Sequence, residues 1–446
     1  VHASVKKMFS MMAVFAIIFM GACTPNHAPE YNVHDDAELP DCLYAAVLHA
    51  ETPVLPGLMP SIFISTDARH IERHDWRGTA VTVRNAGDDS LGPVIGQIRG
   101  RGSSTWRYMG EKRSFRIRLN EPHTMPGSDV TATDWSFIAN ASEPSLMRSY
   151  AAYHLAGLLR GGNFAVPTRT FMHVYLNGDY RGVYMLTDQV HVHEGRIQLS
   201  FHQDPMRSEY FVQWCRHARM PDDVYVRIGA NQQAFEVRFP SGRRLTDAHT
   251  DFVRAFLTEV DAAMDQLDFE RIAALIDLES FVDFYIINEF FKNVDVGFSS
   301  VFFQIRQTET GPRLYAGPIW DFDQSAGSSV VRGWFVDYGP ERLWAVHANA
   351  WMRPFVIVPE LRQAVADRWH EIRHHEIEAM MMHIERVSVR YRDCFERNFV
   401  RWPNHIGQYV WRTPLSISQI ATHEGQVNHL LQWLNQRMDW LDTFFY

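Results

Sequence analysis

The period of the apolar residues changes near residue 190 of this 446-residue chain, and that change dictates a fold in which strands and helices are segregated. Before it, apolar and polar residues alternate. Ser61-Ile62-Phe63-Ile64-Ser65 and Thr79-Ala80-Val81-Thr82-Val83 read as short strands divided by turn residues. Lys112-Arg113-Ser114-Phe115-Arg116-Ile117-Arg118-Leu119 predicts a half-buried strand with Phe115, Ile117 and Leu119 inward. Leu146, Tyr150, Leu155, Leu158 and Leu159 recur at roughly helical spacing after a Ser142/Pro144 start signal. Runs 171–176 and 183–186 flank Asn177-Gly178-Asp179, a hairpin signal. Beyond 190 the spacing is helical: Phe252, Phe256 and Val260 share one stripe, and Val427, Leu430, Leu431, Leu434, Met438 and Leu441 another. Two short strands interrupt it, at Val301-Phe302-Phe303 and Leu314-Tyr315. The expectation is an α+β fold, with a β-rich part over 58–190 holding one main helix and a mainly helical part over 191–446.

At 46% hydrophobic and 21% charged, the chain is globular, and its formal charge of −9 argues against a nucleic-acid partner. Its start has a different character. Lys6 and Lys7 precede an apolar run over 8–20, followed by Gly21-Ala22-Cys23. This is the grammar of a secretory signal, and it resembles a bacterial lipoprotein box in which Cys23 becomes the lipidated terminus. Residues 1–22 are expected to be removed. Residues 23–57, rich in Pro, Asp, His and Glu, read as a tether. The expected location is the bacterial cell envelope, outside the cytoplasm, with the lipid anchor as the contact with membrane. Such a compartment permits one disulfide among Cys42, Cys215 and Cys394, whose spacing fits no zinc template.

Lysine occurs only at 6, 7, 112 and 292, although Lys and Arg together number 43. Where arginine is so favoured, a retained lysine marks a place for a compact ammonium, and Lys112 begins the strand after a polar loop, Arg99-Gly100-Arg101-Gly102-Ser103-Ser104-Thr105-Trp106. Phosphoryl transfer from ATP requires a small-residue loop over the phosphates, a strand lysine, an aspartate to take the proton of the attacking hydroxyl, and carboxylates for the metal. Protein kinases carry these in the order loop, lysine, helix, hairpin, catalytic aspartate, metal aspartate. The same order is present in this chain: the 99–105 loop, Lys112, the 145–160 helix, the 170–187 hairpin, Asp295, then Asp321-Phe322-Asp323.

With Trp135-Ser136-Phe137-Ile138-Ala139-Asn140, Leu146-Met147-Arg148, the segment 174–184 and the segment 317–323, the chain resembles the spore coat protein H (CotH) kinase family from about residue 58 onward. The resemblance implies an atypical protein-kinase-like, two-lobed fold with a β-rich N-lobe and a larger helical C-lobe. It implies transfer from ATP or another nucleotide to protein Ser/Thr hydroxyls with Mg²⁺ or Mn²⁺. By the same likeness, Lys112 meets phosphates, with Arg101, Ser103 and Ser104 of the loop beside it. Asp295 is then the catalytic aspartate, and Asp321 and Asp323 hold the metal. Arg148 falls at a family-typical position for anchoring a helix or the cleft. Ser300 stands where the family and ordinary kinases place Asn, five residues after the catalytic aspartate; its hydroxyl is a candidate metal ligand. That departure also keeps open a kinase-fold scaffold without catalysis. Lys292 reads as a solvated helix residue.

A competing motif is His370-Glu371-Ile372-Arg373-His374, which fits the H-E-x-x-H helix of zinc peptidases. With 22 histidines, chance produces such matches, and Trp369, Ile372 and Ile377 suggest an amphipathic helix with its histidines on the wet face. The His191/His193 pair reads as a polar strand end.

Overall fold

Seven strands close on one another in the first half of the chain, in the order β1 (Ser61–Ser65), β2 (Arg77–Arg84), β3 (Leu91–Arg101), β4 (Ser114–Thr124), β5 (Thr131–Ile138), β7 (Asp179–Asp188), β6 (Thr170–Leu176). The computed structural model describes residues 59–68, 70–159, 165–215, 223–329 and 339–445. The expected signal segment, Cys23, the tether and Cys42 lie outside the described residues.

Closure is made by β1 and β6, which pair in parallel from Ser61↔His173 to Ile64↔Leu176, while the other neighbours are antiparallel. A closed barrel leaves no unpaired edge, and side chains alternate between its interior and its outer face. Ile62, Val81, Ile98, Ile117 and Trp135 fill the interior, and Phe115 and Leu119 join them as the alternation predicts. Where the resemblance implies a kinase-like β-lobe, the chain folds into this barrel, because the first strand finds the outer edge of the 170–187 hairpin. The α+β class stands.

The second half departs from the expectation of a mainly helical region, since it also carries a five-stranded antiparallel sheet. Its order is β12 (Gly311–Ala316), β11 (Val301–Thr308), β8 (Tyr210–Cys215), β10 (Gln233–Phe239), β9 (Tyr225–Ile228). The hairpin β11–β12 matches the two predicted short strands. β8, β9 and β10 are additions. Every residue of β8 is buried, so it lacks the alternation that marks a strand with one wet face.

Helices pack around both units: α1 (Arg148–Leu158), α2 (Asp247–Gln266), α3 (Leu278–Phe290), α4 (Pro359–Ile372), α5 (Glu378–Arg390), α6 (Arg392–Arg401) and α7 (His423–Phe445). α3 is buried from Ser280 through Phe290, capped by Asp277, whose carboxylate accepts from Ser280 N at 2.9 Å. α7 turns Val427, Leu430, Leu434, Met438 and Leu441 inward, and its one buried cation, Arg437, pairs with Glu289 of α3 at 2.5 Å. α6 fixes the barrel to the helices: Asn398 Oδ1 accepts from Val183 N at 3.0 Å, and Trp402 Nε1 donates to Arg181 O at 2.8 Å. Cys215 and Cys394 are not bonded to each other, and Cys42 lies outside the described residues. Among the described residues, no helix is long and apolar enough to cross a membrane.

Candidate active site

The site begins where α3 ends. Lys292 takes a left-handed backbone, φ 45°, and Asn293 Oδ1 accepts from Asp295 N at 3.1 Å, which starts a 3-10 turn over Val294–Gly297. Lys292 is not the solvated residue the sequence suggests. It is 5% exposed, and its ammonium donates to Gly339 O at 2.9 Å and Glu341 O at 2.6 Å.

The turn presents Asp295 beside the segment that follows β12. There Phe322 is buried and meets Phe291 edge-on at 5.8 Å, so its neighbours Asp321 and Asp323 project the other way. One carboxylate oxygen from each of Asp295, Asp321 and Asp323 lies within 4.8 Å of the others. Ser300 Oγ donates to Asp321 Oδ2 at 3.1 Å, Ser142 Oγ donates to Asp323 Oδ2 at 2.7 Å, and Asp321 N donates to Tyr153 Oη at 3.3 Å.

Burial, followed by repulsion from Asp321, pushes the Asp323 carboxyl up to about 7. Burial also raises Asp321, against the pull of Arg101 and the Ser300 hydroxyl. Carboxylates crowded in this way are relieved by a cation. The donor set is all oxygen, which suits a hard cation such as Mg²⁺ or Mn²⁺. The residues present therefore fit the metal that the resemblance implies, with Asp321 and Asp323 as its holders and Asp295 and Ser300 in reach of the same space.

Arg101, the last residue of β3, sits half-buried with its guanidinium 5.5 Å from the Trp320 ring centroid and close enough to Asp321 and Asp323 to act on both charges. The loop that delivers it is anchored. The Trp106 indole sits against Gly100, where a Cβ would stand 2.2 Å from it, so a larger residue there would push the indole aside. Ser103 precedes a one-turn helix, Ser104–Tyr108, and the Ser103 carbonyl accepts from Arg107 N at 3.2 Å.

Lys112 precedes the first residue of β4, so strand alternation does not set its direction. It is 1% exposed. Its ammonium donates to Ala139 O and, at 3.4 Å, to Val183 O, and stands 5.6 Å from the Tyr184 ring centroid. Burial pushes the amine down to about 7, opposed by the charge of Glu143. Glu143 is itself buried and paired with Arg148, and its charge also acts on Asp323. Arg148 is fully buried and donates from Nε to Ser325 O at 3.0 Å, which clamps the start of α1 to the aspartate segment.

Ser142, Glu143, Tyr153 and Gln324 escaped the sequence reading. Ser142 and its neighbours carry a helix-start signal that conceals a second role. Arg412 also escaped it: it arrives from the C-terminal segment, and its guanidinium donates to Gln324 Oε1 at 3.3 Å.

The competing zinc motif is not assembled. Glu371 pairs with Arg368 at 2.7 Å, His374 faces Glu378 at 3.4 Å, and the helix loosens into a π-turn over Arg373–Ile377, which changes the angle between the two histidines. Among the described residues, Asp295, Asp321 and Asp323 form the one group of three or more His, Cys, Asp or Glu placed to share an ion. His193 lies 3.6 Å from Asp188, with the His191 ring 4.8 Å away.

Residues 98–441 match the family model described as CotH kinase protein, a span that covers most of the chain and includes every residue of the site. Among curated proteins, none matches the chain.

Proposed function

The chain belongs to the CotH kinase protein family, and we propose that it is an atypical protein kinase which moves the terminal phosphoryl group of ATP, or of another nucleoside triphosphate, to a Ser or Thr hydroxyl of an acceptor protein. The observation that carries this reading is the convergence of Asp295, Asp321 and Asp323, brought from the end of α3 and the end of β12 to within 4.8 Å. Asp295 takes the proton of the attacking hydroxyl, whose oxygen forms the new bond to the terminal phosphorus. The bond from that phosphorus to the bridging oxygen breaks, and its electron pair leaves with the nucleoside diphosphate. Asp321 and Asp323 would hold a divalent cation, which would supply charge neutralisation on the phosphate oxygens. Ser300 orients Asp321 through its hydroxyl. Arg101 faces the phosphates from the barrel side, and Lys112 joins them from beside Glu143.

In this reading the barrel and the helical half serve as two lobes around the cleft. Residues 1–22 direct export, Cys23 carries the lipid, and residues 23–57 tether the kinase to the bacterial envelope, where its acceptor is found. A second reading, a kinase-fold scaffold without transfer, is favoured by one observation: the Lys112 ammonium is engaged by the carbonyls of Ala139 and Val183.

Labelled ATP, Mn²⁺ or Mg²⁺ and candidate acceptors, incubated with the protein and with Asp321→Asn, test the proposal. Transfer by the parent alone is the expected result. Equal labelling by both removes the activity from this site. Thermal stabilisation by nucleotide and metal without transfer supports the scaffold.

A further inference from the structure

We infer that Arg412 is the cation that neutralises charge on the transferred phosphoryl group, supplied within the same chain by the segment between α6 and α7. The inference rests on the kinase reading above and adds a residue that reading does not use.

The backbone turns inward at Arg412, where φ is 65°, a left-handed conformation in a residue with a bulky side chain. The turn is over-determined by its neighbours. Arg412 N donates to Tyr409 Oη at 3.1 Å, Thr413 N donates to Val410 O at 2.9 Å, and Val410 N donates to Thr413 Oγ1 at 3.1 Å. Such conformations persist where surrounding contacts hold them, and they cluster at working sites.

Two contacts then carry the segment across the cleft. Trp411 stacks on Tyr108 of the one-turn helix behind the Gly/Ser loop, with centroids 4.9 Å apart and planes 12° from parallel. The Arg412 guanidinium lies 4.2 Å from the Trp411 ring centroid and reaches Gln324 beside Asp323. It is near enough to Asp295 and Asp323 for its charge to act on both. The three aspartates therefore face two guanidiniums, Arg101 from the barrel and Arg412 from the C-terminal segment.

This balance suits a phosphate chain better than it suits an empty acid cluster. Arg101 and Arg412 offset part of the carboxylate charge, the buried Glu143–Arg148 pair adds none, and a divalent cation would add positive charge for a phosphate chain to meet. An arginine fork offers paired N–H donors to phosphate oxygens, and charge spreads over the equatorial oxygens as the phosphoryl group moves. In this inference Arg412, whose charge acts on both Asp295 and Asp323, meets the terminal phosphate and not the leaving diphosphate.

The test compares the full chain with Arg412→Ala, Arg412→Met and Arg412→Lys. Arg412→Met keeps an unbranched stem on Trp411 and covers the case in which Arg412→Ala fails to fold. Melting temperature is read with metal alone, with ADP and with ATP, and phosphoryl transfer is measured at varied ATP. The neutral variants are expected to keep the ADP-induced shift and to lose the extra stabilisation that ATP gives over ADP. Their kcat is expected to fall roughly 1,000-fold with KM changed only a few-fold, and Arg412→Lys to recover part of both. A parent that transfers, beside a neutral variant with the same kcat and the same ATP-over-ADP difference, overturns the inference and leaves the kinase reading standing. A parent that neither transfers nor responds to any nucleotide with metal overturns both.

Discussion

Ser300 donates its hydroxyl hydrogen to Asp321 Oδ2 at 3.1 Å, and both residues hold left-handed backbone, φ 61° and φ 67°. Each such conformation costs about 1–3 kcal/mol in a non-glycine residue, so the bond joins two strained turns, one before β11 and one after β12, at the open end of that hairpin. Ser300→Ala removes the donor and frees the carboxylate. It is expected to weaken Mn²⁺-induced stabilisation and to lower transfer. Ser300→Asn keeps a donor and tolerates the left-handed region better, so it is expected to hold the melting temperature at or above that of the parent. A manganese titration followed by thermal unfolding reads both.

The aspartates predict an inversion between metal-free and metal-bound protein. Burial and repulsion raise Asp323, so its charge opposes the apo fold. Asp323→Asn is expected to raise the melting temperature in chelator and to abolish the rise produced by Mn²⁺ or Mg²⁺. Calorimetric scans with and without metal check this. An unchanged metal response in the variant would place the ion elsewhere.

Lys112 and Lys292 are both buried donors to main-chain carbonyls, so neither tolerates a longer planar head. Lys112→Arg and Lys292→Arg are each expected to lose about 1–3 kcal/mol in urea unfolding through overpacking. Only Lys112→Arg is expected to lose nucleotide-dependent stabilisation beyond that common loss.

The same lysine sets a pH dependence. Its folded value, about 7, lies below the ordinary value of 10.5. Between those values the unfolded chain binds a proton that the folded chain does not, so this group makes stability rise with pH across that window. Below about 7 both states are protonated and its contribution is flat. Subtracting the unfolding free energies of Lys112→Met from those of the parent between pH 7 and pH 10 isolates the slope, and parallel curves would refute it.

Buried histidines act at the other end of the scale. Burial holds His173, His405 and His423 down to about 4, below the ordinary 6.5, and His423 is fixed by Phe395 stacked at 4.3 Å and by a bond to Ser145 O at 2.9 Å. A depressed folded value means that the neutral form is the stabilised one. Stability from these groups is complete above about 6.5 and falls as pH drops toward 4, by up to ~3 kcal/mol per fully buried ring. His423→Phe is expected to show a shallower loss than the parent across that range in pH-dependent melting.

Local pattern determined much of this protein. Alternation at Phe115, Ile117 and Leu119 placed the core face of β4, and Asn177-Gly178-Asp179 placed the β6–β7 turn. The chain order of Lys112, Asp295 and Asp321 located the candidate chemistry. These features are encoded within a few residues of one another, where period, turn preference and residue type act directly. What tertiary structure decided depends on partners far away in the chain. The barrel closes only because β1 meets β6, and the second sheet forms because the fully buried β8 lies between β10 and β11. Lys292 sits inside because Gly339 and Glu341 lend it carbonyls. The charge of Glu143 acts on both Lys112 and Asp323, and Arg412 reaches Gln324, across separations that no local period records. Burial, and with it the charge state of each group at the site, exists only once those distant segments have met.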